Sequence, residues 1–311
     1  MHSPAAKHNS AEMAKLQRLA GYASLSVASI LIIAKFWAWV STDSVSILSS
    51  LVDSFLDMLA SSITVIAIYF SLMPADSEHR FGHGKSEGLA ALMQAIIVTG
   101  SAIYVFKEAV LRILDPQPVQ NPASGIAVMA LSIALTFALL TFQKHVTKVT
   151  GSIAIAADSV HYRSDLLINL SVVLAVFVTG WINLPLLDPL VGIGIGCYIL
   201  WNTYEIAVGA LDVLLDRELP EEERNRIYEI AVAHPKVLGF HDLRTRSSGS
   251  KLFIQFHLEL DPATPLLRAH KILDEVEDSV RNAYPRCEII VHPDPLGFEE
   301  MRDGFEPYES Q

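Results

Sequence analysis

Six long apolar stretches occupy the first two thirds of this 311-residue chain, and they limit its possible folds more than any other feature. A helix that crosses the roughly 30 Å hydrocarbon layer of a membrane at about 1.5 Å per residue needs about 20 residues. Prolines stand between the stretches, at positions 74, 116, 118, 122 and 185, where helices are expected to end. The sequence therefore predicts six transmembrane helices in contact with lipid, over residues 19–40, 45–72, 88–114, 125–142, 153–180 and 186–210.

The distribution of lysine and arginine predicts which helix ends face the cytoplasm, because cytoplasmic loops carry an excess of both residues. The first, third and fifth connections contain neither residue, whereas the N-terminal segment and the second and fourth connections contain seven. They are Lys7, Lys15, Arg18, Arg80, Lys85, Lys144 and Lys148. Both termini are therefore predicted to be cytoplasmic. Lys35 lies within the first stretch and is interpreted as a side chain that extends to the membrane surface.

The net charge of −11 is concentrated in the last hundred residues. Positions 1–211 carry 11 Lys and Arg against 13 Asp and Glu, and the remaining positions carry 12 against 21. This asymmetry predicts an apolar membrane part followed by an acidic soluble part, and it argues against nucleic-acid binding. Two distant cysteines, Cys197 and Cys287, predict no disulfide framework, which suits a cytoplasmic domain.

The last hundred residues alternate between helical and extended patterns. Pro220 followed by three glutamates is typical of a helix start, and alternating apolar residues predict strands on either side of Ser248-Gly249. We expect helices over 220–234 and 265–283 and strands over 241–247, 251–260 and 288–292. The predicted fold is an α-helical membrane protein with six transmembrane helices plus a cytoplasmic α+β domain of order α-β-β-α-β. Its expected parts are an N-terminal segment (1–18), the membrane domain (19–211), the cytoplasmic domain (212–295) and a disordered acidic tail (296–311).

Two pairs of metal-ligating residues lie inside predicted transmembrane helices. Asp53 and Asp57 are four residues apart in the second helix, and His161 and Asp165 are four apart in the fifth. Each pair shares one helical face. An ionised carboxylate at mid-membrane costs about 2.5–3.5 kcal/mol even on translocon-insertion scales, which give the lowest values. Three such residues therefore predict a functional site. Four oxygen and nitrogen ligands suit tetrahedral Zn²⁺; the alternative is a hydrogen-bond network that only joins two helices.

The second cytoplasmic connection carries a further candidate metal site. Asp76, His79 and His83 fall within eight residues of one another. Two imidazoles and a carboxylate can bind a metal ion, although soluble loops also carry such residues without one. This motif taken alone leaves both interpretations open.

The motifs "LVDSFLD", "HRFGHGKSE" and "HYRSD", in this order, resemble the cation diffusion facilitator family, in particular its bacterial ferrous-iron and zinc efflux pumps. The resemblance extends through "LLDRELP", "HDLRTR", "IQFHLEL" and "VHPDP" and covers residues 19 to 295. It implies a homodimer in the bacterial inner membrane with an intramembrane transport site at Asp53, Asp57, His161 and Asp165. It also implies a second metal site at Asp76, His79 and His83.

For the C-terminal domain, the resemblance implies a metallochaperone-like fold with a binuclear metal site near the dimer interface. Asp294 would be the bridging ligand of this site. Lys85 and Asp216 match a family charge pair that joins the loop to the C-terminal domain at the membrane surface. The ligands of the binuclear site would be His241, His257, His270, His292 and Asp294, although His270 alone could also be an ordinary surface histidine.

The function expected from these features is export of a divalent transition metal in exchange for protons, by alternating access at the intramembrane site. Zn²⁺ is the leading candidate both as transported ion and as regulatory ligand, with Cd²⁺, Fe²⁺ and Co²⁺ left open. No nucleophile stands beside a base, so we expect a secondary transporter and no enzyme. Two alternatives remain: a membrane metalloenzyme, which needs an open coordination position, and a membrane-anchored metal sensor, which would bind metal without flux.

Overall fold

The computed structural model describes residues 4–42, 45–114, 126–179 and 187–297. The chain divides into two compact units, and each is described by itself. The first, Ala11–Leu211, is called the membrane unit, and the part that begins at Asp212 is called the C-terminal unit.

The membrane unit consists of six long helices. Five of them, α1 to α4 and α6, contain a stretch long and apolar enough to cross a membrane. The remaining helix, α5, carries Asp158, His161, Arg163 and Asp165 in its first half. The predicted six-helix membrane fold is confirmed. The helices are α1 (Pro4–Thr42), α2 (Val45–Ser71), α3 (Ser86–Leu114), α4 (Ile126–Thr150), α5 (Ile153–Thr179) and α6 (Leu187–Leu214).

Two helix boundaries differ by more than two helical turns from the sequence-based prediction. Helix α1 begins at Pro4, so most of the predicted N-terminal segment is helical. Helix α4 continues to Thr150, which places Lys144 and Lys148 within the helix and not in a connection. Nothing between residues 142 and 150 interrupts a helix, and the first residue that does is Gly151, whose φ of 70° is readily adopted by glycine. The predicted tail lies outside the described residues from position 298 onward.

The membrane unit buries polar as well as apolar side chains, and it exposes many large apolar ones. Ile33, Trp37 and Phe137 are more than half exposed, as expected for side chains that contact lipid. The interior, in contrast, contains fully buried hydroxyl, amide and carboxyl groups. Examples of such groups are Gln17, Ser24, Ser61, Thr64, Gln94, Gln143 and Asp158.

The C-terminal unit has the predicted α-β-β-α-β order. Its three strands form one sheet in the order β1-β2-β3, in which β1 and β2 are antiparallel and β2 and β3 are parallel. The third strand is longer than predicted because its pairing with β2 continues through Pro295. The elements are α7 (Glu221–Val232), β1 (Gly239–Ser248), β2 (Lys251–Leu260), α8 (Leu266–Ala283) and β3 (Cys287–Pro295).

The sheet separates an apolar core from a polar face. Ile254, Phe256 and Leu258 alternate along β2 and are buried in one cluster with residues of α7 and α8. On the opposite face, the strand register aligns His241 with His257 and His257 with His292. Three histidines from three strands therefore form a row across the sheet.

Candidate metal centres

The first candidate centre lies between α2 and α5 in the interior of the membrane unit. His161 is 4% exposed, and its Nε2 lies 3.0 Å from Asp57 Oδ1 and 3.7 Å from Asp165 Oδ2. One potential ligand atom from each of the three residues lies within 4.8 Å of the others. The i, i+4 spacing on α5 places His161 and Asp165 on the face that meets Asp57. We call these three residues the intramembrane cluster.

The predicted fourth ligand is not part of this cluster. Asp53 lies one turn before Asp57 on α2, and it is exposed in this arrangement. Like charges repel, and Asp57 and Asp165 already bring two carboxylates to His161. The structure therefore brings together three residues of the predicted four-residue set, and the participation of Asp53 stays a prediction.

Lys35 is placed differently from its sequence-based interpretation. Its Nζ donates hydrogen bonds to the Ser50 carbonyl oxygen at 3.0 Å and to Ser54 Oγ at 2.6 Å, both on α2. The charges of Asp57, Asp165 and Asp53 all act on this ammonium group. The side chain therefore contacts α2, the helix that carries Asp53 and Asp57. The sequence signal for this contact was the position of a lysine inside a predicted transmembrane stretch.

The second candidate centre lies in the connection between α2 and α3. Asp76 lies 3.3 Å from His79 Nδ1 and 3.4 Å from His83 Nε2. Asp76 Oδ1 also accepts hydrogen bonds from the backbone N–H groups of His79 at 2.6 Å and Glu78 at 2.9 Å. The bond from His79 lowers the pKa of the Asp76 carboxyl below its ordinary value, so the group stays ionised near neutral pH. The structure therefore brings all three predicted residues together in what we call the loop cluster.

The third candidate centre is the histidine row on the polar face of the C-terminal sheet. Asp294 Oδ2 lies 3.0 Å from His241 Nε2 and 2.8 Å from His257 Nδ1. The other carboxylate oxygen, Oδ1, lies 3.2 Å from His292 Nε2. Both oxygens of one buried carboxylate thus face imidazoles, which is an arrangement suited to a bridging ligand. We call these four residues the C-terminal cluster.

Two carboxylates that the sequence analysis missed contact the histidines of this cluster. Glu259 Oε1 lies 3.3 Å from His241 Nδ1, and Asp242 Oδ2 lies 3.6 Å from His257 Nε2. Each contacts the ring nitrogen that does not face Asp294, and such a partner selects the tautomer and orientation of a ligating histidine. Glu259 could have been found, because it lies two residues after His257 and thus on the same strand face.

Gly239 provides the space that Glu259 occupies. The two residues are paired across β1 and β2, and a Cβ at position 239 would lie only 2.7 Å from the Glu259 carboxyl carbon. Any larger residue would therefore displace this side chain from His241.

Two other predicted elements are not tested by the described chain. His270 lies on α8 with its side chain 68% exposed, and its partner is Asp274 at 3.6 Å. Its predicted role at a dimer interface stays a prediction. Lys85 and Asp216 belong to different units, and Asp216 Oδ2 accepts a hydrogen bond from Arg246 at 3.3 Å within the C-terminal unit. Their predicted pairing also stays a prediction.

The donor atoms of all three clusters are imidazole nitrogens and carboxylate oxygens. This combination suits Zn²⁺ and similar divalent transition metals. Within the described residues, these are the three groups of histidine, cysteine or acidic residues that are close enough to hold one ion. Cys287 belongs to the apolar core, and burial raises the pKa of its thiol, so it is poorly suited to metal binding.

Comparison with known proteins covers nearly the whole chain. The family profile "Cation efflux transmembrane domain" matches residues 22–215, and "Cation efflux protein, cytoplasmic domain" matches residues 219–296. The cation-efflux pump FieF of Yersinia enterocolitica is 42% identical over 284 residues, which are 91% of this chain and 94% of that protein. FieF of Pectobacterium atrosepticum is 43% identical over 283 residues, with the same coverage.

Among solved structures, a chain of CzrB is 36% identical, covers 25% of this chain and 99% of its own length, and gives a TM-score of 0.25. The two profiles match consecutive parts of this chain, and the chain covers 94% of both FieF relatives. The chain therefore belongs to the cation efflux family.

Proposed function

We propose that this protein exports a divalent transition metal from the cytoplasm in exchange for protons, with Zn²⁺ as the leading substrate and Cd²⁺ and Fe²⁺ as further ones. The observation that carries the proposal is the meeting of Asp57, His161 and Asp165 between two helices of a membrane unit. Relatives named as cation-efflux pumps, about 42% identical over most of the chain, support the direction of transport. The protein is then a secondary transporter of the bacterial inner membrane with both termini in the cytoplasm.

The ligands of the intramembrane site explain how metal and protons exchange. A metal ion needs a neutral His161 and ionised carboxylates, so metal binding expels protons from these groups. On the more acidic outer side, protonation of the same groups lowers metal affinity and favours release. Asp53 completes a four-ligand shell when its carboxylate turns toward Asp57. Alternating access of this site to the two sides then couples the two flows in opposite directions.

The two other clusters act as accessory sites in this proposal. The exposed loop cluster binds metal on the cytoplasmic side. The C-terminal cluster holds a binuclear centre with Asp294 as the bridging ligand and His270 as a further ligand at the interface of a homodimer. Binding there neutralises acidic residues and stabilises the dimer, which gives the centre a regulatory role. Lys85 and Asp216 form the charge pair between the two units.

The proposal is tested by metal transport into proteoliposomes that contain the purified full-length protein. Zn²⁺, Cd²⁺, Fe²⁺, Co²⁺ and Mn²⁺ are supplied one at a time, with and without an imposed pH gradient. We expect zinc uptake that increases with a gradient directed to exchange protons for metal. Saturable binding without flux would instead indicate a membrane-anchored metal sensor.

A variant with a changed ligand tests which residue sets the metal preference. His161→Asp converts the shell to oxygen ligands only, and nitrogen ligands favour Zn²⁺ and Cd²⁺ over Mn²⁺. Zinc uptake should therefore fall relative to manganese uptake, and its dependence on pH should flatten because the imidazole is gone. A variant that keeps both the zinc preference and the full pH dependence would show that His161 is not the selective ligand.

A further inference from the structure

A further buried carboxylate lies inside the membrane unit, and it does not belong to the transport site described above. Asp158 of α5 is fully buried and precedes His161 by three residues. Its Oδ2 accepts hydrogen bonds from the Ser24 hydroxyl of α1 at 2.6 Å and from the Gln143 amide of α4 at 2.7 Å. Its Oδ1 faces the Gln94 amide of α3 at 3.4 Å. Asp158 therefore joins α5 to three other helices.

Helix α2 is connected to the same group of residues. The Gln94 amide nitrogen also donates to the Ala60 carbonyl oxygen at 2.9 Å and to Thr64 Oγ1 at 3.0 Å. Five helices thus meet around one carboxyl group. We call Ser24, Gln94, Gln143 and Asp158 the buried network.

The hydrogen-bond partners of Asp158 in the described chain are all uncharged. A carboxylate removed from water without a paired cation is costly, and ionisable residues inside membranes typically mark ion or proton pathways. An amide side chain could accept and donate similar hydrogen bonds between helices at lower cost. Helix joining alone therefore does not account for a carboxyl group at this position.

The network also contains acceptors that a protonated carboxyl group could use. Gln94 Oε1 and Gln143 Oε1 are buried and have no hydrogen-bond partner among the described residues. Rotation of the Gln143 amide by a half turn presents its oxygen to Asp158 instead of its nitrogen. An Asp158 carboxylate is thus bound by three donors, and a neutral Asp158 carboxyl can donate its proton to an amide oxygen.

The ionisable neighbours of Asp158 lie mainly on its own helix. Its charge acts on His161 and Tyr162, although no hydrogen bond or ion pair within the described residues joins it to the intramembrane cluster. Helix α2 carries Asp57, which contacts His161, and helix α3 carries Glu87, seven residues before Gln94.

The described residues that the remaining neighbouring helices contribute beside this network are uncharged. Helices α1 and α4 contribute the uncharged Ser24 and Gln143. Helix α6 contributes the apolar Ile206 and Ala210 beside Ala157. Asp158 is therefore close enough to respond to the charge of the transport site, yet it is held by separate partners.

We propose that Asp158 is a second proton-binding group of the transport cycle, separate from the metal ligands. It takes up and releases a proton as the five helices that meet at the buried network rearrange between the two access states. This inference rests on the metal–proton exchange proposed above and adds one proton carrier to it.

The test compares the full-length wild type with Asp158→Asn in proteoliposomes, with external zinc and a pH-sensitive dye inside. Asparagine keeps the shape of the neutral acid but cannot exchange a proton. We expect about one proton fewer per transported zinc ion and a shallower dependence of flux on the pH gradient. Zinc affinity at the intramembrane site, measured by equilibrium binding, should change little, because its ligands are intact.

Glu87→Gln is the matched control, since it makes the same kind of change at another buried carboxylate. Glu87 accepts hydrogen bonds from the Ser152 hydroxyl at 2.6 Å and from the backbone of Ile153 and Ala154, at the start of α5. We expect this variant to keep the wild-type number of protons per zinc ion.

An unchanged proton number and pH dependence in Asp158→Asn, beside a wild type that exchanges protons for zinc, would overturn the inference. A wild type without proton exchange would contradict the proposed function itself. If Asp158→Asn does not give a folded protein, Gln143→Leu is the second variant. It keeps the Asp158 carboxyl group and removes one hydrogen-bond donor and one acceptor beside it. The midpoint of the pH dependence should then move, and an unmoved midpoint would equally overturn the inference.

Discussion

The two units of this protein differ in how polar their interiors are. The C-terminal unit has an apolar core, with Ile254, Phe256 and Leu258 of one strand fully buried. The membrane unit has buried apolar clusters too, but it also fully buries polar residues such as Gln94 and Asp158, and many of its large apolar side chains are exposed. Apolar burial stabilises a domain in water, whereas helices in lipid are joined largely by close packing and hydrogen bonds.

This difference determines how each metal cluster relates to the fold. The intramembrane cluster is part of the interior, because His161 lies on the same helix as Asp158 and contacts α2 directly. The C-terminal cluster lies on the sheet face opposite the apolar core, where its histidines are partly exposed. Changes to the C-terminal cluster should therefore spare its fold, and changes to its core should not.

The largest effect is expected from Asp57→Ala in the membrane unit. Removal of outer-shell residues typically costs 10–100-fold in metal affinity or activity, so loss of a direct ligand should reduce zinc flux by more than about 100-fold. The protein should still fold, because the change removes one of several neighbouring carboxylates. The measurement is zinc uptake into vesicles, together with size-exclusion chromatography.

Ser62→Ala is the control for this prediction. Ser62 lies on the same helix, and its hydroxyl donates to the Met58 carbonyl oxygen within that helix. It should retain wild-type flux. Normal flux in Asp57→Ala would show that the intramembrane cluster is not the transport site.

The second largest effect concerns the apolar core of the C-terminal unit. Phe256 is 1% exposed and stacks on Phe240 with 5.1 Å between ring centres. Phe256→Ala should destabilise this unit by about 3–5 kcal/mol, because truncation of a buried aromatic residue leaves a cavity. Hydrogen exchange of β2 amides in the full-length protein measures the change. Ile290→Ala, at a position 52% exposed on the same sheet, should have a much smaller effect.

A third prediction separates metal binding from folding in the same unit. Replacement of His241 and His292 together with alanine should weaken zinc binding to the C-terminal cluster by about 10–100-fold or more, with loosening of the dimer. Transport should remain measurable, and the unit should stay folded. His234→Ala is the control, since His234 contacts Glu275 outside the cluster. Complete loss of flux with an intact dimer would show that this cluster is essential for transport.

The smallest effect is expected at Glu259. Its carboxylate contacts the ring nitrogen of His241 that does not face Asp294. Glu259→Gln weakens the partner of His241 Nδ1 and should lower zinc affinity of the C-terminal cluster by about 10-fold. Equilibrium zinc titration of the full-length protein measures this change. Glu288→Gln, which alters an ion pair with Lys251 on the same sheet, should leave the affinity unchanged. Equal affinities for all three proteins would mean that Glu259 does not orient His241.

The sequence alone determined the architecture and most of the candidate ligands. Apolar length predicted six helices at the positions where they form, and the pattern after Pro220 predicted the α-β-β-α-β order. These features could be predicted because helix length and side-chain alternation depend on residues that are close in the chain. The spacing of His161 and Asp165 placed both on one face for the same reason.

Only the tertiary structure decided which groups meet. It brought Asp57, His161 and Asp165 together while Asp53 is exposed, turned Lys35 toward α2, and placed Glu259 and Asp242 against the histidines of the C-terminal cluster. It also brought Ser24, Gln94 and Gln143 to Asp158 across separations of 134, 64 and 15 residues. Apart from the strand face of Glu259, the sequence could not predict these contacts, because helix rotation and strand register are set by packing between distant elements, and a hydrogen bond requires its atoms within about 3.5 Å.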